Sequence, residues 1–249
     1  MQVTVIGCSG SFPGPDSPAS CYLVEADGFS MLLDLGNGAL GSLQRFHNVL
    51  DIDAICFSHL HPDHCLDLTV YWIARVYCPS GRAPRIPVYG PSGTADHMAK
   101  AYEPSPNTAM GEAFDFHAFP PGPFEIGPFR VSTARMNHPI EAYGLRVEHD
   151  GRVLTYSGDT AESDALVELA RGADLFICEA AFADRKDNPG GLHLTGRAAG
   201  EHAARADAEA LVLTHLVPWN DPTATLAEAK LSGFAGSIEL AEVGAVYNL

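Results

Sequence analysis

Residues 58–64 of this chain are Ser58-His59-Leu60-His61-Pro62-Asp63-His64, and this short stretch decides the fold. It follows Ile52–Phe57, an apolar segment that predicts a buried strand. Imidazole and carboxylate groups suit zinc and similar divalent metals. A short irregular turn lets His59 and His61 face one way and Asp63 and His64 another, so one loop could serve two adjacent metals. The alternative is an exposed histidine-rich turn without a ligand.

Further candidate ligands follow in later segments, each placed where a predicted strand ends. These segments are Asn137-His138-Pro139, Ser157-Gly158-Asp159-Thr160 and Thr214-His215. Sites on layered folds commonly lie in such loops. Taken alone, His138 and His215 could be core or loop histidines, and Asp159 a carboxylate at a helix N-terminus. Their order after the first cluster favours a metal site.

A weak internal repeat supports this placement. The segment from Asp53 to His59 resembles the segment from Glu209 to His215, since both are apolar strands ending in a hydroxyl residue and a histidine. A duplicated βα half would place both histidines at the same sheet edge.

The order H-x-H-x-D-H, then His, then G-D-T, then His resembles that of the metallo-β-lactamase superfamily. The resemblance implies an α/β fold, the αββα four-layer sandwich, in a single hydrolase domain over residues 1–249. By resemblance, the first metal would be bound by His59, His61, His138 and Asp159. The second would be bound by Asp63, His64, Asp159 and His215, with the Asp159 carboxylate bridging.

The second position of the motif bears on the metal. It is His61 here, whereas the di-iron electron-transfer members of the superfamily usually carry glutamate. We therefore expect two divalent ions of a hydrolytic site, with Zn²⁺ favoured and Mn²⁺ as the alternative.

Two further segments resemble the ribonuclease Z-like branch of the superfamily. They are Cys178-Glu179-Ala180-Ala181-Phe182 and the run from Leu192 to Ala199, which contains His193. In that branch the histidine is thought to protonate the leaving oxygen and the glutamate to orient it. The resemblance thus implies that His193 is the general acid and Glu179 its partner. The alternatives are a histidine at the start of a helix and an ordinary strand-end carboxylate.

Three other features fit the same branch. The strand after His138 runs through Tyr143-Gly144-Leu145-Arg146, and the opening Gly7-Cys8-Ser9-Gly10-Ser11 is either a loop at the site mouth or a simple turn. Asp34 is interpreted as a residue that ties the loops or supports a ligand, without binding metal itself.

The charge of the chain argues against a long polyanionic substrate. Its formal net charge is −16, from 15 Lys and Arg against 31 Asp and Glu. Such a surface repels nucleic acid, whereas a small anion can still be drawn to a local metal centre. The basic, protruding arm of tRNA-processing members also has no counterpart in the sequence. We therefore expect a small anionic substrate, and nucleic acid is disfavoured without being excluded.

The compact length and the ending Leu213–Trp219 are closest to short bacterial relatives, some of which act on cyclic nucleotides. The prediction is a phosphodiesterase that hydrolyses 3′,5′-cyclic nucleotides such as cAMP. A hydroxide held between the metals would attack phosphorus, and Asp63 would orient it as a catalytic residue as well as a ligand. The alternatives are a tRNA 3′-end endonuclease, a thioester or lactone hydrolase, and a non-enzymatic metal-binding protein.

Local patterns predict several elements. Asp27-Gly28 and Asp150-Gly151 each predict a hairpin. The segment Leu66–Tyr77 is apolar on a helical period and predicts a helix, and Thr160 is expected to cap a helix that reaches Arg171. Five aromatic residues could stack on a base, although each is more often core: Tyr22, Tyr71, Trp72, Phe182 and Trp219.

The chain shows no secretory signal pattern and no stretch near the ~20 apolar residues of a membrane span. Its six cysteines form no C-x-x-C pair, which is typical of reduced cytosolic thiols. We expect a cytoplasmic protein without a membrane partner, and the branch it resembles implies a homodimer.

Overall fold

The computed structural model describes residues 1–103 and 110–249, and two sheets form its centre. The first sheet has the spatial order β14-β1-β2-β3-β4-β5-β6. Its strands are β1 (Gln2–Gly7), β2 (Cys21–Ala26), β3 (Phe29–Leu33), β4 (Ala54–Cys56), β5 (Ile86–Gly90), β6 (Phe114–Ala118) and β14 (Val246–Asn248). The second sheet has the order β13-β12-β11-β10-β9-β8-β7. Its strands are β7 (Phe124–Ile126), β8 (Phe129–Arg135), β9 (Tyr143–His149), β10 (Arg152–Tyr156), β11 (Leu175–Glu179), β12 (Ala210–Thr214) and β13 (Ser237–Leu240).

Helices cover the outer face of each sheet. The helices are α1 (Ala39–Leu43), α2 (Pro62–Cys65), α3 (Leu68–Val76), α4 (Thr94–Tyr102), α5 (Asp164–Leu169), α6 (Gly196–Ala206) and α7 (Pro222–Lys230). One apolar cluster joins the facing sheets, a second packs α1, α3 and α4 on the first sheet, and a third packs α5, α6 and α7 on the second. The predicted αββα sandwich is therefore confirmed. None of the helices among the described residues has the length and apolar character needed to cross a membrane.

Parallel strands bring the candidate ligands to one edge. In the first sheet β3, β4, β5 and β6 run parallel, and in the second β10, β11, β12 and β13 do so. Ligands in open α/β sheets bind outside the carboxyl ends of such strands. His59, Asp159 and His215 lie in the loops after β4, β10 and β12, and Glu179 is the last residue of β11.

Both predicted hairpins are present. Asp27 and Gly28 have φ angles of 52° and 78°, and Asp150 and Gly151 have 49° and 76°. Two consecutive positive φ angles are what a two-residue turn of type I′ requires, and its twist matches that of the flanking strands.

The helix predicted over Leu66–Tyr77 is present as α3, which begins at Leu68 and ends at Val76. Other local predictions were wrong. Thr160 does not cap a helix: Ser163 is the N-cap of α5, because the Thr160 N–H donates 2.7 Å to the Glu179 carboxylate and holds residues 160–163 out of the helix. Helix α4 and strand β7 were not predicted at all.

The aromatic residues divide into two groups. Tyr22, Tyr71 and Trp72 are buried, as expected for core residues, and Phe182 is half-buried. The expectation of a core position is wrong for Trp219, whose exposed fraction is 74%. Its indole lies on the turn that follows His215.

Candidate metal centre

Four loops converge on one cluster of histidines and aspartates. Pro62 stands in the first turn of α2, where its missing N–H and fixed φ are tolerated. This single turn places Asp63 and His64 directly after His61. His215 leaves β12 with a φ of 55°, a conformation that non-glycine residues seldom adopt and that is concentrated at functional sites.

The first ligand group consists of three imidazoles and one carboxylate. His59 Nε2 lies 3.0 Å from His61 Nδ1, and His138 Nε2 lies 3.3 Å from the same Nδ1. Asp159 Oδ2 is 3.5 Å from His59 Nε2. The potential ligand atoms of these four residues all lie within 4.8 Å of one another. The sequence predicted this set for the first metal.

The second ligand group shares Asp159 with the first. His64 Nε2 lies 3.2 Å from Asp159 Oδ1, and His215 Nδ1 lies 2.7 Å from it. Asp63 Oδ2 is 3.2 Å from His215 Nε2. Because the Asp159 carboxylate belongs to both groups, it occupies the position that the sequence assigned to a bridging ligand.

One buried atom shows that the arrangement fits a metal. His64 Nε2 is buried and has no hydrogen-bond partner among the described residues, although two carboxylates lie within 3.5 Å. An unpaired buried polar atom is costly unless a further group satisfies it. A divalent cation ligated by imidazole and carboxylate would do so.

The ionisation of the cluster is strongly shifted in the metal-free chain. Burial opposes the charge of Asp159, but the imidazoles of His215, His64 and His59 outweigh it and hold the Asp159 pKa well below its usual range. Burial lowers the pKa of His59 and of His138. Burial also opposes charge on His64, yet the carboxylates around it raise its pKa well above the ordinary value. Metal binding would therefore displace a proton from His64.

The Asp34 carboxylate holds the second ligand group in place through His64. Its carboxylate accepts hydrogen bonds from the Ser58 N–H and Oγ–H and from the Tyr156 hydroxyl, each 2.7 Å long, and lies 2.7 Å from His64 Nδ1. This contact fixes the His64 ring so that Nε2 faces the centre, as partners of ligand histidines usually do. The position agrees with the interpretation of Asp34 as a supporting residue. Tyr156 was missed, because its strand has an ordinary apolar pattern.

A second tyrosine makes the reciprocal contact between the sheets. Tyr22 of β2 is hydrogen-bonded to the hydroxyl of Thr214, the residue before His215, and its ring packs 4.9 Å from that of Tyr156. Each sheet thus contributes one tyrosine that holds a ligand loop of the other sheet.

Glu179 and His193 lie together beside the second ligand group. Glu179 is fully buried and accepts hydrogen bonds from the N–H groups of Thr160, Ala181 and Leu194 at 2.7, 3.2 and 3.2 Å. His193 Nδ1 lies 2.9 Å from Glu179 Oε1. Burial opposes a charge on His193, but the Glu179 carboxylate outweighs it and raises the His193 pKa to about 9.

The His193 ring also faces the ligands and solvent. Its centroid lies 5.2 Å from that of His215 and 5.7 Å from that of His138. It lines two neighbouring cavities of about 430 and 240 Å³. A substrate held at the ligand cluster would therefore meet this imidazole.

The glycine-rich first loop reaches the centre. The Ser11 N–H donates 2.8 Å to Asp63 Oδ2. Gly10 packs so closely on His215 that a β-carbon there would lie 2.3 Å from the imidazole. This position agrees with the interpretation of the loop as part of the site mouth.

Comparison with known proteins identifies the family. The model of the β-lactamase superfamily domain matches residues 30–216. A Mycobacterium leprae protein described as uncharacterized is 40% identical, covering 100% of this chain and 89% of its own. The probable metallo-hydrolase YhfI of Bacillus subtilis is 30% identical over 99% of both chains, and its crystal structure superposes with a TM-score of 0.87. The short form of human tRNase Z is 25% identical, with a TM-score of 0.78 over 100% of this chain and 99% of its own. The similarity to the short human tRNase Z agrees with the ribonuclease Z-like branch. The family match and the metallo-hydrolase relative show that the chain is a metal-dependent hydrolase that belongs to the metallo-β-lactamase superfamily.

Proposed function

We propose that the protein is a two-metal phosphodiesterase of small phosphodiesters, with 3′,5′-cyclic nucleotides such as cAMP as the leading substrates. The observation that carries this proposal is the His193–Glu179 pair, with its 2.9 Å contact beside the ligand cluster. A phosphodiester leaves as an alkoxide, which is a poor leaving group, so a positioned proton donor contributes about 10²–10⁴-fold to the rate.

Zn²⁺ is the proposed metal and Mn²⁺ the alternative, held by the two ligand groups described above. Two such ions supply an activated water and neutralise charge on the phosphoryl oxygens. Asp63, which lies at the site mouth beside the Ser11 amide, would orient the attacking water.

The proton on the leaving oxygen would come from His193. Its Nδ1 faces Glu179, which leaves Nε2 to carry the proton that is donated. Three backbone N–H groups donate to the Glu179 carboxylate and hold it beside the imidazole. Its negative charge keeps the imidazole protonated until the P–O bond breaks.

The net charge of the chain and the proton donor His193 each favour some substrate classes over others. A net charge of −16 favours a small anion over a polynucleotide. A thioester releases a thiolate, whose conjugate acid has a pKa of about 8.5 in cysteine, so it needs no proton donor. The pair therefore favours an oxygen leaving group. tRNA 3′-end cleavage is the second candidate, since the human tRNase Z is similar over its whole length.

The test compares turnover of cAMP and of a precursor tRNA by zinc- or manganese-loaded protein at matched salt. We expect cAMP hydrolysis, and a fall of about 10²–10⁴-fold in kcat in His193→Ala with two metals per chain retained. The loss should be much smaller for a p-nitrophenyl phosphodiester, whose leaving group is a weak base. Cleavage of tRNA alone would establish the second candidate, and full turnover in His193→Ala would remove this residue from the mechanism.

We propose homodimerisation from the resemblance to the ribonuclease Z-like branch, and a cytoplasmic location from six cysteines that form no C-x-x-C pair. Sedimentation of the purified protein tests the first, and fractionation of cells tests the second.

A further inference from the structure

We propose that the exposed indole of Trp219, backed by Phe12, is the stacking surface for the nucleobase of the substrate. This inference rests on the proposed function, because it assigns a place to the part of a nucleotide that does not react. It concerns residues outside the ligand groups and outside the His193–Glu179 pair.

The position of Trp219 relative to the reacting groups is the first argument. A cavity of about 240 Å³ is lined by both His193 and Trp219, and also by Ser11 and Phe182. A molecule that fills it touches both the proposed acid and the indole. A nucleotide with its phosphate at the ligand cluster has its base on the far side of the ribose, and we assign this cavity to the base.

The turn that carries Trp219 is held in place. The Asn220 amide donates 2.8 Å to the carbonyl of Ala181, two residues after Glu179, and the Gly10 N–H donates 3.1 Å to the carbonyl of Leu216. Val217 is buried beneath the turn. The backbone that carries the indole is therefore held by the same loops that build the site.

The exposure of the indole is unusual for so large an apolar group. Trp219 is 74% exposed, and its only ring contact among the described residues is with Phe12 of the first loop, at 4.9 Å between centroids. Neither face is used for the core. Tryptophan is enriched at binding interfaces, and an exposed apolar surface that lines a cleft is where a ligand would bind.

A purine or pyrimidine fits this surface chemically. Every base has a flat aromatic face, so stacking is tolerant of base identity and contributes strongly to binding. The base carries no charge, so the acidic surface does not repel it. We therefore expect broad tolerance among nucleobases and weak binding of sugar phosphates that lack a base.

Tryptophan fluorescence gives a readout that is independent of turnover. The chain has two tryptophans, and the other, Trp72, is only 8% exposed. Titration of metal-loaded protein with AMP should quench the emission, and ribose 5-phosphate at equal concentration should not. Trp219→Phe should remove this quenching yet keep most of the affinity for AMP.

The affinity itself tests the stacking. Trp219→Ala should raise KM for cAMP by roughly 5- to 150-fold with a smaller change in kcat. Trp219→Leu, which keeps an apolar side chain, should resemble the alanine variant more than the phenylalanine variant. Tyr77→Ala is the matched control, because Tyr77 is 69% exposed and does not line the cavity.

The outcomes separate this inference from the proposed function. If cAMP is hydrolysed but Trp219→Ala leaves KM unchanged and AMP does not quench the emission, the stacking surface is refuted and the phosphodiesterase stands. If cAMP is not hydrolysed but AMP quenches Trp219, the surface stands and the proposed reaction falls. If Trp219→Ala changes the sedimenting mass and not KM, the indole is a contact between subunits and the inference is wrong.

Discussion

Replacing Glu179 by glutamine tests whether this carboxylate acts through His193 or only supports the loops. The two side chains have the same shape, but the amide has one accepting oxygen where the carboxylate has two. Glu179 Oε1 accepts from Thr160 N and contacts His193, and Oε2 accepts from Ala181 N and Leu194 N. If the amide oxygen takes the Oε1 position, two buried N–H groups lose their acceptor.

The opposite orientation is less costly. With the amide oxygen in the Oε2 position, only the Thr160 N–H is unpaired, and His193 must offer Nδ1 as an acceptor in its neutral form. One unpaired buried donor costs about 1–3 kcal/mol. For a chain of this size that lowers Tm by about 2–12 °C. The neutral imidazole is a poor acid, so kcat for cAMP should fall by about 10²–10⁴-fold.

The pH dependence gives the sign of the effect. An acid must be protonated to act, so the rate should fall as the pH rises through the pKa of His193. That pKa is about 9 in the metal-free chain, and nearby divalent cations would lower it. Loss of the Glu179 charge should move the falling limb to still lower pH.

The assay is kcat against pH for both proteins, with Tm from thermal unfolding and with Glu148→Gln as the control. Glu148 lies on β9, is partly exposed and pairs with Arg146 at 3.3 Å, so its loss should change little. A Glu179→Gln variant that loses Tm but keeps the wild-type kcat and pH profile would refute a role through His193. The double variant Glu179→Gln/His193→Ala should also lose less kcat than the product of the two single losses, because the two residues act as one unit.

Three further substitutions test other parts of the centre. Asp159→Asn removes the carboxylate shared by both ligand groups, so metal content measured on the purified protein should fall below two ions per chain; two tightly held ions would argue against a bridge. Asp34→Asn should weaken metal binding about 10–100-fold in competition with a chelator, because His64 loses the partner that orients it, and an unchanged affinity would contradict this. Arg185 is exposed at the rim of both cavities and makes no ion pair with any described residue, so Arg185→Ala should raise KM for an anionic substrate several-fold at low salt. Arg185→Lys should keep most of the affinity, and an Arg185→Ala effect that persists at 1 M salt would rule out an electrostatic origin.

The sequence predicted which residues come together as candidate ligands, because their residue types are rarely combined for any other purpose. His59, His61, Asp63 and His64 in one turn have few structural explanations, and the later ligands follow strands whose apolar runs are clear. The hairpins were equally predictable, since Asp-Gly pairs adopt positive φ angles at low cost.

The predictions that were wrong depend on contacts between distant parts of the chain. The sequence around Thr160 is typical of a helix cap. In the structure, however, the Thr160 N–H donates to Glu179, which is 19 residues away. Tyr156 has the pattern of a core residue, and only the opposite sheet shows that its hydroxyl serves Asp34. Trp219 meets Phe12, which lies in a loop far away in sequence, and it is 74% exposed there. No local pattern carries this information.

The reciprocal tyrosine contacts have a consequence for folding. Tyr22 reaches from the first sheet to Thr214, which precedes His215, and Tyr156 reaches from the second sheet to Asp34, which contacts His64. Each ligand group also takes residues from both sheets. The complete coordination sphere can therefore exist only when the two halves are docked, and a bound ion stabilises the docked state over any state with separated sheets. Metal affinity and global unfolding should then be thermodynamically linked, so that each added ion slows hydrogen exchange throughout both sheets and not only in the loops that bind it.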